Sequence, residues 1–289
     1  MRALTALLVG LLAPFTIASP SVKRVFAPGP YRAATNIYEI PPCGSLAHVG
    51  SKIHVLAANG TVIHVATAGA PTVGQFKSAV SRDLMDGWVA FAYFLNPGFS
   101  LISSFTATWE VPPLPETDHG QTIFLFNAVQ NYSNTILQPV LQYGPSVAGG
   151  GSFWAVASFF LDGVNTFHTP LVRTSPGATL NGALILTGSS SSESIFNYTS
   201  QFTNIPGTTL NTSVPALLNV AAATLEAYNI TALSDYPAGA TVFSGINVEF
   251  ASGNTKPDVA WRPVADTADG LGSTVDKDGA VDAQITVKY

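Results

Sequence analysis

A single cysteine, Cys43, stands in 289 residues. That excludes an intrachain disulfide and any cysteine-rich metal centre, and leaves Cys43 as a buried, inert thiol or a link to another chain. Charge is the next shortage, at 10% of residues against 47% hydrophobic. Between Arg82 and Lys256 the sole basic residue is Arg173, while the same window carries ten carboxylates. A polyanion is held by many cationic side chains at once, so nucleic acid is excluded as a partner. The apolar run Ala3 to Phe15 is too short to span a bilayer, which takes about 20 residues as a helix, and no membrane span is expected. There is no Gly-x-Ser-x-Gly elbow, and His48, His54, His64, His119 and His168 have no nucleophile at a recognised spacing. Asp276-Lys277-Asp278-Gly279 lacks the later acidic ligands of a calcium loop and reads as a solvated turn. The sequence calls for no metal and no cofactor.

What is present begins with a leader. Met1-Arg2, the apolar run and the small residues Ala18-Ser19 have the layout of a secretory signal peptide over residues 1–18, cut after Ala18 because Pro20 disfavours the next bond. Residues 19–42 read as a propeptide or extended arm, with the dibasic Lys23-Arg24 as a second processing point and a mature start near Val25. Sequons at Asn59, Asn131, Asn197, Asn211 and Asn229 mark candidate glycans. The expectation is a secreted glycoprotein with a net charge of -5.

Residues 43–86 form an N-terminal hairpin region. Lys52 to Ala66 folds about Asn59-Gly60, a two-residue turn that sets His54 against Val65 and His64 against Val55, so the two imidazoles cannot share a metal. Thr72 to Asp86 has room for one short helix. Residues 87–289 form one domain of short aromatic or β-branched runs bounded by Gly, Pro, Asn and Ser, without helical periods. This predicts an all-β fold, a two-sheet antiparallel β-sandwich of the jelly-roll type. Ala216 to Leu225 alone has alanine enough to form a helical turn.

Within this pattern, Asn134 to Gly144 sets Gln138 inside an apolar strand, where an unpaired amide costs about 1–3 kcal/mol. Gln138 needs a buried partner or a cleft. With the strands Ser104 to Pro113 and Ile123 to Asn127, the aromatic strand Trp154 to Asp162 and the turn Ser175-Pro176-Gly177, the run resembles the fungal glutamic peptidases (eqolisins). These are acid endopeptidases on a concanavalin A-like jelly roll that cleave with a glutamine and a glutamate.

The resemblance implies that Gln138 is the catalytic glutamine and that the strand after Asn219 should carry the glutamate. Asn219 falls at that position. An amide cannot take a proton from water, and Glu226, seven residues on, has the opposite strand parity to Asn219. The family's other acidic position falls at Ser158.

A cleft without a base would keep apolar walls and a few neutral polar groups, drawn from Trp88, Phe91, Tyr93, Trp109, Gln142, Tyr143, Trp154 and Phe159 beside Gln138 and Asn219. Such a site suits an uncharged, largely apolar small molecule and chemistry that needs orientation rather than proton transfer. A cofactor-free cyclase of secondary metabolism fits, and the secreted, glycosylated build is similar to that of the hetero-Diels–Alderases of fungal tropolone routes. The alternatives are an acid endopeptidase acting on denatured protein through Gln138 and another glutamate, and a wall-associated carbohydrate-binding module with exposed aromatics on its concave face.

Overall fold

A computed structural model describes residues 24–25, 27–28, 32–69, 86–96, 101–131, 135–190, 194–251, 258–264 and 270–289. The expected leader, residues 1–18, and nearly all of the expected helix at Thr72 to Asp86 lie outside them.

The chain opens with β1 (Arg24–Val25) and β2 (Arg32–Ala33), paired in a small ribbon. There follow β3 (Ile37–Glu39), β4 (Ser45–Val49), β5 (Lys52–Leu56), β6 (Val62–Thr67), β7 (Asp86–Leu95), β8 (Ile102–Glu110), β9 (Thr122–Gln130), β10 (Thr135–Ser146) and β11 (Gly149–Asp162). The second half holds β12 (Thr166–His168), β13 (Val172–Arg173), β14 (Thr179–Ser190), β15 (Ile195–Phe202), β16 (Leu210–Val214), β17 (Val220–Tyr228), β18 (Ala240–Phe250), β19 (Arg262–Val264), β20 (Gly272–Lys277) and β21 (Ala283–Lys288). Among the described residues the only helical pieces are two short 3₁₀ turns, at Ala34–Asn36 and Leu233–Asp235.

Two sheets result. One runs β19-β7-β17-β9-β10-β11-β12-β3, with β13 also on β11, and the other runs β20-β21-β18-β8-β14-β15-β16-β4-β5-β6. The pairings are antiparallel except β12 with β3 and β16 with β4, which are parallel. Through these two pairings the N-terminal strands join the sandwich, one to each sheet. The expected hairpin forms, but with a three-residue loop rather than a two-residue turn: Ala57 N–H donates to the Thr61 carbonyl and Gly60 N–H to the Ala57 carbonyl, and a bulge at Val55/Leu56 restores the register that sets His54 opposite Val65 and Val55 opposite His64.

Between the sheets lies the main core, in which Trp109 packs against Phe202 and Phe243 with ring centroids 5.5 and 5.0 Å apart. The first sheet is buried on its other face as well. Every residue of β9 and β17 is buried. This overrides the helical leaning of Ala216 to Leu225: β17 lies between β7 and β9, where both faces are covered and small side chains pack closely. Cys43 is exposed, at a positive φ of 60° in the turn before β4, so it is not the buried thiol that its apolar character suggests.

Candidate functional site

Strand alternation sorts the candidates. On β9 the odd residues Ile123, Leu125 and Val129 enter the inter-sheet core, while Phe124, Phe126 and Ala128 belong to a second apolar cluster on the outer face. On β10 the outer set is Ile136 and Val140, and on β11 it is Ala157, Phe159 and Leu161. Gln138, between Ile136 and Val140 in parity, therefore points to the outer face.

It is fully buried there, and neither its Nε2 nor its Oε1 has a hydrogen-bond partner among the described residues. Its strand register sets it beside Phe159, which in turn pairs with His168. On the other side the row continues through Ala128 and Ala222. Beyond His168 the row ends at the exposed Glu39 of β3, three strands from Gln138.

Glu226 is the buried acid on the same face. It is fully buried on β17, in register with Phe124 and, past a bulge at Leu225/Glu226, with Trp88, and its Oε1 accepts a hydrogen bond from the Tyr228 hydroxyl. Phe124 is also in register with Gln142, so Glu226 stands two strands across and four residues along from Gln138. At about 4.8 Å per strand and 3.3 Å per residue, that is roughly 16 Å. Across such a backbone separation, one water reaches both groups only if the two side chains lean toward each other.

Asn219 does not take the glutamate's place. It precedes β17, where its N–H donates to the Gln130 carbonyl and its own carbonyl accepts from Asn96, and its parity is that of the core-facing Ala221 and Ala223. The expectation that Glu226 and Asn219 differ in face holds; the one sharing Gln138's face is Glu226. Ser158 faces the core, where its hydroxyl accepts from Ser200 at 3.0 Å.

The expected wall residues divide. Trp88 and Phe159 line the Gln138 face, and Trp88 joins Phe91 and Phe126 in a band with ring centroids 5.1 and 5.8 Å apart. Trp109, Tyr143 and Trp154 instead lie in the inter-sheet core, on the far side of the sheet from Gln138 or on the other sheet. That leaves Trp88, half-buried, as the one tryptophan on this face that a sugar platform could use. Gln142 shares the face, but its Nε2 donates to the carbonyls of Gly144 and Gly149 and its Oε1 accepts from Ser146, so its amide is committed to the β10–β11 turn.

Phe124, Phe126, Val140 and Tyr228 complete the wall and were not expected from the sequence. The parity of Gln138 on its own strand could have found Val140; the others need the strand order. His168 is buried on the same face, where burial lowers its pKa against the opposing pull of the Thr169 carbonyl and Glu39. It is a neutral imidazole whose Nδ1–H donates to the Thr169 carbonyl at 2.9 Å, which assigns the acceptor role to Nε2. Among the described residues, no three His, Cys, Asp or Glu side chains gather as a metal site would require.

Of the sequons, Asn59, Asn197, Asn211 and Asn229 are exposed and Asn131 is half-buried.

Glu110 ends β8 exposed, beside the Pro112-Pro113 turn.

No protein-family model and no curated protein matches the chain. Among solved structures, the chain is similar to scytalido-glutamic peptidase bound to a peptide-based transition-state analogue, with 13% identity over 71% of this chain and 98% of that one and a TM-score of 0.46. A second structure of that peptidase, with a transition-state analogue inhibitor, gives 13% identity, the same coverage and a TM-score of 0.47. SCP-B, a member of the eqolisin family in complex with the tripeptide Ala-Ile-His, gives 12% identity, again over 71% and 98%, and 0.42. The sandwich itself rests on the strand pairings above, and a likeness of this degree does not extend to activity.

Proposed function

We propose that the outer face of the first sheet binds an uncharged, largely apolar small molecule, with the Gln138 amide as its polar anchor and cofactor-free cyclisation as the activity. The observation that carries this reading is the state of Gln138: fully buried, walled by Phe126, Val140 and Phe159, with both amide atoms lacking a partner among the described residues. An orphaned buried amide costs about 1–3 kcal/mol, and a ligand carbonyl on Nε2 with a ligand hydroxyl on Oε1 would remove that cost.

A hetero-Diels–Alder closure suits such a site. Two σ bonds form from two π bonds, no proton or electron enters or leaves, and the catalyst's tasks are to orient the partners and polarise a carbonyl. Gln138 Nε2–H can donate to that carbonyl, and the apolar wall excludes water. The chain is proposed to do this as a secretory-pathway glycoprotein, which is supported by the exposed positions of Asn59, Asn197, Asn211 and Asn229.

A second reading, the acid endopeptidase, is favoured by one observation: Glu226 is a carboxylate on Gln138's own face. Against it stands the separation of roughly 16 Å from the strand register, because glutamine and base must act on one water.

The test is a titration with Nile red, an uncharged carbonyl-bearing fluorophore. The wild-type protein should bind about one equivalent saturably, and Gln138→Leu should weaken binding about tenfold, the equivalent of one hydrogen bond of about 1.4 kcal/mol. Unchanged affinity in the variant would remove Gln138 from the site. Digestion of denatured haemoglobin near pH 3 that disappears in Gln138→Ala would replace this reading with the peptidase.

A further inference from the structure

The four terminal strands of the two sheets are not alike. In the first sheet, β19 is three residues long and carries Arg262 and Pro263, and β3 is three residues long and carries Glu39. In the second, β20 ends in Asp276-Lys277, with Lys277 ion-paired to Asp282. Shortness, proline and charge are the devices by which proteins keep sheet edges from pairing with other chains. The remaining edge, β6, has none of them: it is six residues of Val-Ile-His-Val-Ala-Thr.

Its side chains add to the contrast. Val62, Ile63 and Val65 are 45%, 53% and 46% exposed, and Val49 on β4 extends the apolar surface at 53%. These four stand among the ten large apolar residues exposed anywhere in the described chain, gathered on one three-stranded corner.

The backbone completes the edge. Ala68 N–H donates to the Ser51 carbonyl, which turns Ala68, Ala66 and His64 toward β5 and turns Val65 and Thr67 away. The carbonyl of Thr67 accepts from Asn165 Nδ2 at 2.8 Å, as an outward group would. No strand pairs with the outward side of Val65 among the described residues. A groove of about 490 Å³ runs along this side, lined by His64 to Gly69, by Tyr38 and by Asn165, with no lysine, arginine or carboxylate in its lining.

The complement of such an edge is an extended, uncharged, β-branched strand, and this chain carries one in β6 itself. We propose that two copies of the chain associate through β6, antiparallel about a two-fold axis at Val65. Val65 of each copy then exchanges N–H and C=O bonds with Val65 of the other and the two valines pack side by side, while the Thr67 carbonyl keeps its bond from Asn165 Nδ2 and Ile63 adds apolar contact. The bulge opposite Val55/Leu56 falls at Ile63, since His64 pairs with Val55 and Val62 with Leu56, and it leaves His64 to Thr67 regular. An isologous contact of this kind closes on itself, as a dimer rather than a fibre.

Sedimentation velocity on the full chain, in reducing buffer so that the exposed Cys43 cannot link copies, tests the proposal. At about 100 µM the wild type should sediment as a dimer, and Val65→Lys and Val65→Pro should each weaken association at least tenfold with circular dichroism unchanged. Ile63→Lys, an exposed change with no fold to disturb, should do the same. Leu233→Lys, which charges an equally exposed apolar residue outside the hairpin, should leave the dimer intact. A wild-type monomer at that concentration overturns the proposal, and so does a dimer that survives Val65→Lys and Ile63→Lys.

Discussion

Gln138 is a polar residue held where physical chemistry would place a leucine. Replacing it by leucine removes two buried, unsatisfied polar atoms at little change in volume, so Gln138→Leu should raise the free protein's stability by about 1–2 kcal/mol. For a chain of this size, each kcal/mol shifts the melting temperature by about 2–4 °C, which calorimetry resolves. A lowered melting temperature would mean that the amide is bonded after all. A rise in stability with a loss of ligand affinity is the trade expected of a binding residue.

The same scale shows how little of the site the linear text revealed. Gln138 was legible because an amide interrupts an apolar strand. Asn219 was misplaced because one strand's parity cannot be compared with another's until both are paired. Trp109, Tyr143 and Trp154 are aromatic, and so drew a binding reading, yet burial in the core uses aromatic rings in the same way.

At the scale of elements, two local arrangements make sharp demands. Gly182 on β14 lies so close to its neighbours that an added Cβ would stand 2.8 Å from the Trp109 ring and 2.3 Å from Asn127 Oδ1. Neither is free to move in a packed core, so Gly182→Ala should cost about 1–3 kcal/mol, read as a lower denaturation midpoint with an unchanged slope.

The second arrangement joins the segment before β9 to the 3₁₀ turn at Leu233–Asp235. The buried Asp235 faces His119 Nδ1 at 2.7 Å and accepts from the hydroxyls of Thr117 and Thr231 and from the N–H groups of Thr231 and Ala232. Burial pushes its pKa upward, and these hydrogen bonds outweigh burial and hold the carboxyl well below the ordinary carboxylate range. A carboxyl whose folded pKa is depressed stabilises the protein above its unfolded value of about 3.9 and loses that contribution as pH falls toward the folded value. Melting temperatures measured from pH 6 down to pH 2 should therefore fall more steeply for the wild type than for Asp235→Asn below about pH 4, with the two curves converging. Parallel curves would mean that Asp235 is not what links the two segments to pH.

For the whole molecule, the question is whether one sheet face can act as a peptidase. The strand order β17-β9-β10 keeps the amide and the acid of the outer face on strands that are not neighbours, so haemoglobin digestion near pH 3 should be absent from the wild type and from Glu226→Gln alike. A digestion lost in Glu226→Gln would show that the two groups meet on binding substrate.

The all-β class and the hairpin around Asn59-Gly60 were determined by the sequence alone, because turn chemistry and β-branched runs act over a few neighbouring residues. Which residues share a face with Gln138 was decided only by the tertiary structure. Strand order and register depend on pairings between segments far apart in the chain, as when β17 enters between β7 and β9 with every partner 90 or more residues away, and no local preference encodes them.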